Sequence, residues 1–119
     1  MENKWKIVYY ISATGENPVS DFLDTLQKQT QSKILRIFHN IEEYGLRSVI
    51  PHVKKLSGTP FWEIRILGQG SIRVIYVIIM NFQILVLHGF IKKTLKTPLK
   101  ELEIAKNRYQ KTFVGKNSP

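Results

Sequence analysis

Residues 74–91 carry no charged side chain, which is 18 consecutive positions in a chain of 119 where 23% of residues are charged. So apolar a stretch must be buried, as one membrane-spanning helix or as two core strands. Eighteen residues lie near the lower limit for a spanning helix. Asn81 and Gln83 interrupt the middle, His88-Gly89 stands near the end, and the stretch is dense in Val and Ile. Two buried strands joined by a turn over Met80–Gln83 fit this pattern better, and no membrane association is expected. The second strand would run into Lys92 and Lys93 and deliver both to the surface, which suits an anionic partner.

The other elements follow from periodicity. Lys6–Ile11 is rich in Ile, Val and Tyr and reads as a short strand, and Ser12–Glu16 as a loop. Asn17-Pro18 has the form of an N-cap followed by proline at the first helical position. Val19, Phe22, Leu23 and Leu26 then mark one face of a helix. Polar Lys28–Ser32 breaks that pattern. A second helix is expected over Ser32–Tyr44, with Ile34, Ile37, Phe38, Ile41 and Tyr44 inward, stopped by Gly45. Phe61–Leu67 alternates, with Trp62, Ile64 and Ile66 on one face and Glu63 and Arg65 on the other, as in a half-buried strand. Gly68–Ser71 is a turn. Ile72–Met80 and Ile84–Phe90 are the next strands. Thr97-Pro98 caps a last helix bearing Leu99, Leu102, Ala105 and Tyr109, and the chain is expected to fray from Lys116. The order β-α-α-β-β-β-α predicts one α+β domain over 1–119, with an ordered core of about 4–113. Its parts are an N-terminal strand, a helical hairpin, a three-stranded antiparallel meander and a C-terminal helix. The helices pack on a mostly antiparallel sheet.

Charge is segregated along the chain. Residues 1–46 hold five basic and six acidic side chains, and residues 47–119 hold thirteen and three, so the second part carries +10 of a net +9. Such a field attracts phosphate or an acidic protein. The absence of cysteine excludes disulfides, thiolate metal sites and cysteine nucleophiles, and it fits a reducing cytoplasm. No secretory signal is visible in Met1–Ile11. The histidines lack metal-ligand spacing, and no phosphate-binding glycine loop or nucleophile elbow occurs.

Arg65 and Arg73 flank the Gly68–Gly70 turn. If Ile66 pairs with Ile72, the two arginines lie opposite each other on one face; a slip of one residue separates them. Opposed arginines repel, so either an anion lies between them or Glu63 neutralises one, as in an Arg73–Glu63 salt bridge beside the core. Lys54 and Lys55 before the first hairpin and Lys92 and Lys93 after the last strand could converge near one sheet edge. His88 sits beside the Lys92-Lys93 cluster, which would lower its pKa and keep it neutral, as a general base requires.

These residues also resemble a known family. Lys55-Leu56-Ser57-Gly58, Phe61-Trp62-Glu63-Ile64-Arg65 and Arg73-Val74-Ile75-Tyr76 come first. They are followed by Leu87-His88-Gly89-Phe90-Ile91-Lys92-Lys93-Thr94, then Thr97-Pro98 with Glu101, Ala105 and Arg108. In this order they resemble the HigB-like, phage-derived branch of the RelE/ParE toxin superfamily over roughly residues 50–110. The resemblance implies a type II toxin with an adjacently encoded small helix-turn-helix antitoxin. It further implies a cytoplasmic protein that enters the ribosomal A site and cuts messenger RNA by attack of a ribose 2′-hydroxyl on the adjacent phosphorus. Neither metal nor cofactor is implied. Arg65 and Arg73 would hold the scissile phosphate, and Lys92 and Lys93 would bind backbone or assist the leaving group. Lys54, Lys55 and Lys96 would contact RNA, and Phe90 would stack on a base or pack in the core. RelE has a lysine two positions before the counterpart of Arg65; this chain has Glu63. The base would then be His88 or Glu63, or Glu63 would only orient Arg65. On this reading Arg73→Ala removes toxicity with the fold intact. Two other outcomes are a non-enzymatic, ParE-like inhibitor of gyrase or another protein, and an inactive prophage relic.

Overall fold

The computed structural model describes residues 4–66, 71–80, 82–93 and 95–117. The expected turn residues Gly68–Gly70 and Asn81, the end of the first meander strand at Leu67, Thr94 of the motif, and Ser118-Pro119 of the frayed end lie outside them. The elements are β1 (Lys6–Tyr9), α1 (Pro18–Asp24), α2 (Lys28–Tyr44), a 3-10 turn (Leu46–His52), β2 (Val53–Lys55), β3 (Trp62–Ile66), β4 (Ile72–Met80), β5 (Gln83–Ile91) and α3 (Leu99–Asn117). The strands form one sheet in the order β1-β5-β4-β3-β2, antiparallel except where β1 runs parallel to β5. This is the expected α+β arrangement with one strand added, β2.

The sheet is covered on both faces. On one, Val19 and Leu23 of α1 and Ile34, Phe38 and Ile41 of α2 pack against Ile64, Ile66, Ile72, Val74, Tyr76, Ile84 and Val86. On the other, Ala105, Leu102 and Tyr109 of α3 pack against Phe61, Ile75, Val77, Leu85 and Leu87. Double coverage explains why the uncharged run does not alternate in polarity. No helix among the described residues is long and apolar enough to cross a membrane.

Local chemistry accounts for the boundaries. Asn17 Oδ1 accepts from the Ser20 amide at 3.1 Å, and Pro18 follows as the first helical residue. Gly45 ends α2 at φ +85°, a conformation that favours glycine. The β4–β5 turn places Phe82 at φ +62°. Phe82 is held there by its carbonyl accepting from Lys6 N at 2.7 Å and by an edge-on contact with Trp5.

Several expectations need correction. Lys28–Ser32 does not break the helix but forms its first turn, because these side chains can face water while Gln31 Nε2 donates to the Leu26 carbonyl at 2.8 Å. Tyr44, expected inward, is 75% exposed at the end of α2, and Leu99, the first residue of α3, is 78% exposed. β1 stops at Tyr9, and α3 continues to Asn117, past the point of expected fraying. On the face of β3 expected to be exposed, Glu63 is buried, because Thr97 in the segment before α3 covers it, while Arg65 is exposed as expected.

Candidate functional site

The register decides the arginine geometry. Ile66 pairs with Ile72, so Arg65 lies directly opposite Arg73, and Phe90 of β5 completes the row. In the next row Glu63 faces Ile75, which faces His88. Both rows point to the α3 side. His88 does so because of a β-bulge: Ile75 pairs with His88 but Tyr76 pairs with Val86, leaving Leu87 as an extra residue. Regular alternation would turn His88 and Leu87 to opposite faces; the bulge lets both address α3.

The two arginines differ in environment. Arg65 is exposed and makes no hydrogen bond or ion pair within the described residues. Arg73 is largely buried, with its Nε 3.5 Å from Glu63 Oε1 and its Nη1 donating to the Ile72 carbonyl at 3.1 Å. The Arg73–Glu63 approach is an ion pair without hydrogen-bond geometry, and Arg73 Nε has no acceptor. Glu63 is 1% exposed, and its second oxygen accepts from Thr97 Oγ1 at 2.6 Å. Of the roles the sequence left open to Glu63, the structure shows the salt bridge with Arg73 rather than a pairing with Arg65. Thr97, expected only as a helix cap, ties the start of α3 to this buried carboxylate.

His88 belongs to a second polar group. Its Nε2 lies 2.7 Å from Glu101 Oε1, and its Nδ1 lies 3.2 Å from Arg108 Nη1. Arginine can only donate, so Nδ1 accepts and the ring proton sits on Nε2, directed at Glu101. Arg108 Nη1 also reaches the Leu87 carbonyl at 2.8 Å, and its guanidinium lies over the Tyr10 ring. Burial lowers the His88 pKa first, Arg108 lowers it further, and Glu101 opposes both. The expected cause, the Lys92-Lys93 cluster, does not contribute. With both nitrogens bonded, His88 has no lone pair to act as a base in this arrangement; it fastens α3 to the bulge. Burial likewise pulls the Arg108 guanidinium below its ordinary range.

The lysines do not gather at one edge. Lys54 pairs with Glu63 on the edge strand β2, level with His88, while Lys92 follows β5 four residues further on. That is about 14 Å across the sheet and about 13 Å along it. Lys55 is bonded to the Thr59 carbonyl of its own loop and lies over Trp62. Lys92 stays near the arginines: its amide donates to the Ser71 carbonyl at 2.6 Å, two positions from Arg73. Its side chain is half-buried, and Lys93 and Lys96 are exposed. Phe90 is 5% exposed and stacked on the His88 ring, so of the two roles open to it the structure shows packing. Sequence reasoning missed the Thr97–Glu63 bond and the Glu101–His88–Arg108 group, although the motif contained all five residues. No metal-binding cluster of His and acidic residues occurs among the described residues.

The chain matches the family model described as phage derived protein Gp49-like over residues 21–110. No curated protein sequence matches it. Among solved structures, it is similar to a doubly arginine-substituted form of the E. coli toxin RelE in the free state, at 12% identity and a TM-score of 0.56, covering 91% of this chain and 97% of that one. A family match across three quarters of the chain, together with that shared architecture, makes this protein a member of the phage-derived Gp49-like family with the fold of the toxin RelE.

Proposed function

We propose that this protein is the toxin of a type II toxin–antitoxin pair and cuts messenger RNA in the ribosomal A site without a metal. The observation that carries the reading is the opposed pair Arg65 and Arg73, with Lys92 beside it on a rigid sheet. Arg65 is exposed, and Arg73 is paired with Glu63 at 3.5 Å without a hydrogen bond, so the two guanidiniums together can still take a phosphate. In the proposed reaction a ribose 2′-hydroxyl attacks the adjacent phosphorus, and the 5′-oxygen of the next nucleotide leaves. Arg65 and Arg73 stabilise the phosphorane, each donor contributing about 3 kcal/mol. Lys92 and Lys93 bind backbone or assist the leaving oxygen, and Lys96 extends the basic surface. Lys54 and Lys55, on the far edge, would meet ribosomal RNA. The protein works in the cytoplasm, and an adjacently encoded antitoxin with an acidic or apolar segment covers the basic face.

A second reading, a non-enzymatic inhibitor of a protein target, is favoured by the bonded state of His88 and the burial of Glu63, which leave neither poised as a base. Primer extension on cellular messages after brief induction separates the two. Discrete in-frame cuts that vanish in Arg65→Ala support the nuclease. Growth arrest without cuts moves the assignment to a protein target, and no arrest points to an inactive relic.

A further inference from the structure

Arg73 Nε is a buried N–H with no acceptor among the described residues, although a carboxylate oxygen lies 3.5 Å away. Buried donors rarely stay unmatched in native proteins. A shift of about half an ångström would complete this bond. The restraint acts on the other oxygen of the same carboxylate, where Thr97 Oγ1 donates to Glu63 Oε2 at 2.6 Å. That length is the one expected of a charge-assisted bond from a hydroxyl to a carboxylate, which is stronger than a neutral one. Thr97 lies just before α3, whose placement on the sheet is set by Glu101 on His88, by Arg108 on the Leu87 carbonyl, and by Tyr109 edge-on to Phe61. The position of its hydroxyl is therefore imposed by the helix and not by the strand that carries Glu63.

We propose that Thr97 is a positioning residue: it holds the Glu63 carboxylate back from Arg73, so that the guanidinium stays loosely paired and able to take a phosphate. Without the hydroxyl, Glu63 closes on Arg73 as a hydrogen-bonded ion pair, and an incoming phosphate must displace a carboxylate already seated. The inference deepens the reading of the arginine pair as a phosphate site and rests on it.

The test compares the full-length wild type with Thr97→Val, Thr97→Ala and Thr97→Ser. The arginine Nε–H resonances are recorded by NMR, with Arg73 assigned from an Arg73→Lys sample, and message cuts are mapped by primer extension. The expected result for Val and Ala is a downfield move of the Arg73 Nε–H and a loss of cutting of up to roughly a hundredfold, the scale of a misplaced catalytic group. Serine, which keeps the hydroxyl, restores both. Alanine serves as the second variant if valine does not fold. An unmoved resonance in the folded variants overturns the proposal, as does a moved resonance with unchanged cutting. If the wild type makes no cuts, the nuclease reading fails, while the resonance still decides whether Thr97 restrains the carboxylate.

Discussion

At the residue scale, burial separates two arginines that look equivalent in the sequence. Replacing Arg73 by alanine would leave Glu63, 1% exposed, as a buried charge with Thr97 as its one remaining side-chain partner among the described residues. Breaking a buried pair in this way costs about 3–5 kcal/mol. The expectation that Arg73→Ala spares the fold is therefore revised: it should lower stability sharply, as a chemical-denaturation midpoint will record. Arg65→Ala removes an exposed side chain without a partner among the described residues, so stability should stay within about 0.5 kcal/mol while cutting is lost. A midpoint that falls as far for Arg65→Ala as for Arg73→Ala would contradict this division. His88 adds a pH dependence. Its folded pKa is depressed below the ordinary 6.5, mainly by burial. The unfolded chain then takes up a proton more readily than the folded one. The stability from this group is complete above pH 6.5, declines as pH falls below it, and levels off beneath the folded pKa. Urea midpoints from pH 7.5 to 5 should show this decline in the wild type, and a smaller one in His88→Gln.

At the element scale, β5 holds the sheet and both helical layers together, and α1 packs closely on it at Gly89. A Cβ there would stand 2.6 Å from Phe22 Cδ2 and 2.9 Å from Cε2. In the sequence, His88-Gly89-Phe90 looked like a functional motif. Structurally it is a histidine turned to α3 by the bulge at Leu87, a glycine that lets α1 approach the sheet, and a core phenylalanine. Gly89→Ala should destabilise by about 1–3 kcal/mol through overpacking. Combining it with Phe22→Ala should cost less than the sum of the two single changes, because the second opens space for the first. Strict additivity in a double-mutant cycle would show that the Phe22 contact is not the cause. The edge strand β2 was not foreseen, because Val53–Lys55 is only three residues long and two are lysine. Short, lysine-bearing strands are typical of sheet edges, but three residues show no usable period.

At the scale of the whole molecule, the basic second part of the chain is divided by the sheet order. Lys92, Lys93 and the arginines lie at one end of the β3–β4–β5 meander, and Lys54 and Lys55 occupy the outer edge at β2. Binding of a short single-stranded RNA over a salt titration should resolve the two sets. Lys92→Gln and Lys93→Gln should each make the slope of log affinity against log salt shallower by about 0.7, and Lys54→Gln should leave it unchanged. Equal effects from all three would mean that the RNA crosses the whole sheet.

Periodicity alone identified the helical hairpin, the meander and the last helix, and the choice of register that sets Arg65 opposite Arg73 could be stated from Ile66 and Ile72. Such features depend on neighbours along the chain or on one tight hairpin. The buried Glu63, the Thr97 bond to it, and the clasp of Glu101 and Arg108 on His88 could not be read in this way. Their partners are 34, 13 and 20 residues apart, and they meet only because α3 folds back over a bulged strand. The sequence determined which residues could form a cationic surface; tertiary structure decided which of them are held, which are exposed and which carboxylate each one faces, because charge in a protein is set by burial and by neighbours that only packing supplies.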